Sequence, residues 1–243
     1  MEGRYPPGVF ISLTDCAELS REKEFNRWYD GTLIPEIEKL GYVKNSRRYE
    51  NVLSQTPTFQ GRPKYLCMSE IYNDDLVKAM QEIHQRETEA ASGSKGISLF
   101  VSKVNTVYRR IGPEFRTERT GTPVRAVYCG LLACADPGRE EEFNSWYNER
   151  HAPETVENEV FAFDTGYRYE VVNPNDPAPH QSSPYLTIYE TSADPEAALK
   201  GLAGLRKHSV DISDRLWVEL LRVLYAGLFA PMSYEGDWSI AKS

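Results

Sequence analysis

Histidine is scarce in this chain, four residues in 243, and cysteine is equally rare. No two cysteines have the CxxC spacing of a metal or redox motif. Cys16, Cys67, Cys129 and Cys134 lie in apolar, strand-like runs, where a free thiol packs as a small hydrophobe, so they read as structural. No stretch of about 18 uninterrupted apolar residues is present, and residues 1–8 lack a basic segment followed by an apolar one, so a soluble, cytoplasmic protein without a membrane partner is expected. Basic residues are not in excess either. The net charge is −8 with both signs interspersed, which disfavours a polyphosphate partner such as nucleic acid. The glycines of loop 91–96 lack Walker spacing, and there is no nucleotide, flavin or thiolate–metal motif. The expected cofactor list is therefore empty, and no metal site is expected.

What the chain does have is a repeat. Phe143-Asn144-Ser145-Trp146-Tyr147-Asn148-Glu149-Arg150-His151-Ala152-Pro153-Glu154 matches the twelve residues beginning at Phe25 with an offset of 118, and six of the twelve positions are identical. Leu33 stands where the second copy has His151. Tyr185, Leu186 and Glu190 match Tyr65, Leu66 and Glu70 at an offset of 120, so strand pairing downstream is expected to repeat as well. On a helix, Phe143, Trp146, Tyr147 and His151 fall on one inward arc. Pro153 biases Ala152 away from helical geometry, which predicts a helix ending near His151, with the imidazole beside the last free carbonyls and its protonated form favoured.

Between and around these copies, β-prone runs at 9–13, 42–52, 64–72 and 97–111 alternate with helical patterns at 20–40 and from 74. The order restarts at 124–133. Each half reads β-α-β-β-α-β, the split βαβ arrangement of an α+β protein. The division is a first module over 1–112, a linker over 113–123 rich in turn formers, and a second module over 124–243. Two four-stranded sheets in one chain can bury their open faces by packing face to face or by joining edges into a barrel.

The motif Phe-x-x-Trp-Tyr-x-x-x-His-x-Pro-Glu inside such a repeat resembles EthD-like members of the dimeric α+β barrel superfamily, here as two fused ferredoxin-like modules. The resemblance implies a small-molecule pocket in each module, with the motif histidine as acid or base. Only His151 inherits that role. It implies a cofactor-independent lyase or isomerase performing dehydration, decarboxylation or cyclisation on a small aromatic or polyketide-like molecule. The alternatives are a cofactor-independent monooxygenase on a phenol and a non-catalytic ligand- or haem-binding protein. A homodimer is a further expectation.

His151 is the candidate catalytic residue, since its ordinary pKa suits proton transfer in both directions near neutral pH. Tyr128, Trp146, Tyr147, Arg168, Tyr185 and Tyr189 are the candidate substrate-binding residues, phenols and a guanidinium that suit a carbonyl or carboxylate, with the Trp146 indole as a flat pocket wall. Trp146 and Tyr147 equally suit the core, as Trp28 and Tyr29 repeat them. Arg168 and Glu190 equally suit a cross-strand ion pair, which Arg48 and Glu70 repeat in the module without histidine.

Overall fold

In the first strand Val9, Ile11 and Leu13 are buried on one side and Phe10, Ser12 and Thr14 on the other, so β1 (Gly8–Cys16) is a strand covered on both faces. The computed structural model describes residues 1–56, 61–92, 98–118, 123–173, 183–208 and 219–232, with side chains up to 203 in the last helix. The first module continues with α1 (Glu22–Trp28), a π turn (Tyr29–Leu33), α2 (Ile34–Glu38), β2 (Val43–Asn51), β3 (Tyr65–Ile71), α3 (Leu76–Ser92) and β4 (Phe100–Arg116). The second repeats it with β5 (Ala126–Cys134), α4 (Glu140–Trp146), a π turn (Tyr147–His151), α5 (Ala152–Glu157), β6 (Thr165–Val171), β7 (Tyr185–Thr191), α6 (Pro195–His208) and β8 (Leu221–Pro231).

The two sheets join by their edges. Around the closed barrel the order is β1-β3-β2-β8-β5-β7-β6-β4, every pair antiparallel, with seams between β2 and β8 and between β4 and β6. Closure leaves no open sheet edge, and one chain supplies all eight strands. The interior is filled by one side of each strand, among them Val9, Ile11, Leu66, Tyr108, Cys129, Tyr167, Tyr169 and Ile188. The helices lie outside, so each module has a second core between sheet and helices, built on Phe25, Trp28, Tyr29 and Leu33 in the first and on Phe143, Trp146 and Tyr147 in the second. All four cysteines are free and buried, and burial pushes the Cys67 and Cys129 thiols up to about 12.

Three sequence expectations are corrected. The helix does not end at His151: it passes through the π turn and runs on as α5 to Glu157. Pro153 falls in the first turn of α5, just past the π turn, as Pro35 does in α2, and a proline there does not break the helix. The placement of the imidazole at a helix terminus, and the protonation argued from it, fall with that ending. Next, β4 runs through Pro113 to Arg116, inside the stretch expected as linker, because it pairs with β6; the register shifts between Ile111 and Phe115, where Gly112 has φ +67°. Finally, the last strand, which the sequence places within 217–229, runs as β8 over Leu221–Pro231, two residues farther. No described helix is long and apolar enough to cross a membrane. His180, Tyr234 and Trp238 lie outside the described residues.

Candidate functional site

The π turn sets the site. Its i to i+5 spacing lays the His151 ring on Trp146, five residues back, with centroids 5.0 Å apart and planes 20° from parallel. Tyr147 meets the same ring edge-on at 4.6 Å. The imidazole is thus clamped by two aromatics, 9 % exposed, and its backbone carbonyl accepts a 2.7 Å hydrogen bond from the Thr155 hydroxyl.

His151 opens onto a cavity of about 120 Å³ between the β5–β7–β8 sheet and the helices of the second module. The buried Tyr147, Phe163 and Tyr189 and the half-buried Tyr128 form its floor, and the exposed Glu154 and Val223 stand at its rim. Tyr128 and Tyr189 are opposed across β5 and β7, and Phe163 stacks on Tyr189 at 5.0 Å. The phenol oxygens of Tyr147 and Tyr189 lie 3.4 Å apart. Burial raises the pKa of all three tyrosines, and the charge of Arg168 opposes that rise at Tyr147. They are neutral hydrogen-bond donors at physiological pH.

The remaining candidates stand behind this lining. Arg168 is fully buried with its guanidinium 4.1 Å from the Tyr147 ring centroid, donating to Asn148 Oδ1 at 2.8 Å and Asn144 Oδ1 at 3.0 Å. Desolvation lowers its pKa. Tyr185 accepts from the Asn144 amide at 2.9 Å, and Trp146 backs His151. The expected Arg168–Glu190 ion pair does not form: the register sets Arg168 against Thr187, and Glu190 faces the barrel, where it accepts from Tyr167, Thr165 and the backbone of Glu2. In the first module Glu70 likewise turns away from Arg48 and pairs with Arg4 at 2.8 Å. Phe161, Phe163 and Leu202 line the cavity unannounced by sequence, since two are in an irregular loop and the third on a helix face shared with the core.

No family model matches the chain, and no curated protein matches it in sequence. Solved structures do match in fold. A dye-decolorizing peroxidase from Bacteroides thetaiotaomicron is similar with a TM-score of 0.59 at 10% identity, over 96% of this chain and 94% of that one. A mutant chlorite dismutase from Candidatus Nitrospira defluvii, in complex with cyanide, gives 0.55 at 9%, over 93% and 90%. A heme-binding protein from Thermus thermophilus gives 0.52 at 12%, over 93% and 91%. These likenesses overturn the expectation of a cofactor-independent lyase or isomerase acting on a polyketide-like molecule, because structures that share the architecture over 93% or more of this chain include a peroxidase, a chlorite dismutase and a heme-binding protein. In fold, the chain is a dimeric α+β barrel assembled from two ferredoxin-like modules in a single polypeptide.

Proposed function

We propose that the second module binds haem, with His151 as the ligand to the iron, and that the protein is an enzyme of oxidative chemistry. The observation that carries this is a buried imidazole, held by Trp146 and Tyr147, at the wall of an apolar aromatic cavity in a chain with the fold of a peroxidase and a heme-binding protein. The donor chemistry fits. A histidine nitrogen is an ordinary axial ligand, and flat aromatic walls suit a flat macrocycle. In volume the cavity as it stands does not fit a porphyrin: about 120 Å³ is smaller than the macrocycle, and the cavity would have to open at its rim, where Val223 is exposed, to admit one. Haem, once bound, supplies one-electron and peroxide or oxygen chemistry. The chain's own part is to fix the plane of His151, exclude water with the Phe161–Phe163 wall, and offer hydroxyl donors from Tyr128, Tyr147 and Tyr189.

Membership of the EthD-like branch belongs to the same proposal, supported by the Phe143–Glu154 motif. So does a homodimer, which would form through outer surfaces, since one chain completes the barrel. The test is titration of haem into the purified protein. A Soret band that shifts and saturates at one haem per chain, lost in His151→Ala and kept in Leu33→Ala, is the expected result. No saturable shift, or an unchanged spectrum in His151→Ala, overturns the proposal.

A further inference from the structure

The two modules build the same cradle for a buried arginine and then differ in one atom group. Arg48 stacks on Tyr29 at 4.3 Å, donates to Asn26 at 2.8 Å, and is neutralised by Asp30 at 3.1 Å. Arg168 stacks on Tyr147 and donates to Asn144 in the same way, but the position of Asp30 is taken by Asn148. Among the described residues no carboxylate pairs with Arg168, whereas the Nε of both arginines is alike without a partner. A fully buried guanidinium stays charged, and a charge left uncompensated in low dielectric is costly unless something supplies the opposite sign.

Three other differences between the copies lie at the same corner. His151 replaces Leu33, Tyr189 replaces Ser69, and Tyr128 replaces Phe10, the last two being opposed residues in equivalent registers. The changes at His151 and Tyr128 each add a polar hydrogen-bonding group, and Tyr189 carries its hydroxyl on a phenol ring that lines the cavity, farther from the strand than a serine hydroxyl. The 3.4 Å contact between the Tyr147 and Tyr189 oxygens is long for an O–H···O bond, so an oxyanion can replace it by accepting from both, in competition with Thr187, which both phenols also meet. Glu154, the acid at the rim, is already answered by Arg150 at 3.3 Å.

We infer that this cavity takes a small planar carboxylate, its oxyanion on the Tyr147 and Tyr189 hydroxyls and its charge answered by Arg168 behind Tyr147. Size points the same way: an engineered cavity of about 150 Å³ holds benzene, so about 120 Å³ with an open rim suits a single ring. The inference does not rest on the haem proposal, and its test uses haem-free protein.

Benzoate and its neutral isostere benzamide are titrated calorimetrically at pH 7 into the full chain. Benzoate is expected to bind at least about tenfold tighter than benzamide. Asn148→Asp, which copies the Asp30 arrangement, should bring the two within about twofold by neutralising Arg168. Tyr189→Phe should weaken benzoate about tenfold through loss of one donor. Undetectable benzoate binding, equal binding of the two probes, or a preference surviving in a folded Asn148→Asp variant overturns the inference. Should Asn148→Asp not fold, an unchanged benzoate affinity in Tyr189→Phe does the same.

Discussion

Truncating Leu33 and truncating His151 perturb equivalent backbone positions, yet the structure predicts different consequences. Leu33 is 1 % exposed and packed in a core with Phe25, Trp28 and Tyr29. A fully buried Leu→Ala change costs about 2–5 kcal/mol, from lost transfer energy and the void left behind. Unfolding entropy of about 2.1 cal/mol/K per residue makes each kcal/mol worth about 2 °C in a chain of this length. Leu33→Ala should therefore lower Tm by about 4–10 °C. His151 faces a cavity that already exists, so its truncation enlarges a void open at the rim and makes no new sealed one; a loss of about 1–2 kcal/mol, or about 2–4 °C, is expected. Differential scanning calorimetry on ligand-free protein at pH 7 measures both. A shift under about 2 °C for Leu33→Ala, or a larger one for His151→Ala, would refute the assignment of a packed first-module site and an open second-module one.

Gly112→Ala should destabilise through two effects, since φ is +67° and an added Cβ would lie 2.7 Å from Asn148 Oδ1, displacing it from Arg168; the expected fall in Tm is about 2–6 °C by calorimetry, and a fall under about 1 °C would show that the β4 bulge adapts. The Glu87 carboxyl, donated to by Asn105 at 2.7 Å and with Oε1 otherwise buried without a partner, is pushed up to about 7 by burial. Its folded pKa exceeds the unfolded value of 4.5, so the folded state holds the proton longer and stability falls as pH rises from about 4.5 to 7, by about 2–3 kcal/mol. Urea midpoints across that window should drop in the wild type and stay flatter in Glu87→Gln; parallel curves would refute the assignment.

The duplication was legible because Phe, Trp, Tyr and Pro-Glu recur together, and the growth of the offset from 118 to 120 located the length change between helix and second strand. That was enough for the order of elements and the equivalence of Arg48 with Arg168. The π turn was not legible, because Pro153 reads as a helix end from sequence, and no residue type announces that a π turn precedes it and restarts the helix with the proline in its first turn. Facing was lost for a related reason. Arg168 and Glu190 are both on paired strands, but whether they meet depends on a register that pairs Arg168 with Thr187 and Thr165 with Glu190. Of the six residues expected to bind substrate, Tyr128, Tyr147 and Tyr189 reach the cavity while Trp146, Arg168 and Tyr185 support it from behind.

The closed barrel explains why a first module without the histidine persists. Its β2 and β4 form the seams that cover β8 and β6, and its strands contribute Val9, Ile11, Leu66 and Tyr108 to the interior that the second module's Cys129, Tyr167 and Ile188 need on their inner side. Loss of the first module would bare two strand edges and one whole apolar sheet face. The first copy is thus free to satisfy its arginine with Asp30 and fill its corner with Leu33, both stabilising choices. The second copy keeps Arg168 uncompensated among the described residues and builds a polar corner beside it, arrangements that cost stability and make sense where a ligand completes them. On the proposed reading, division of labour between the copies follows from closure: the seams tie both halves together, and the stability of the first offsets the cost of a site in the second.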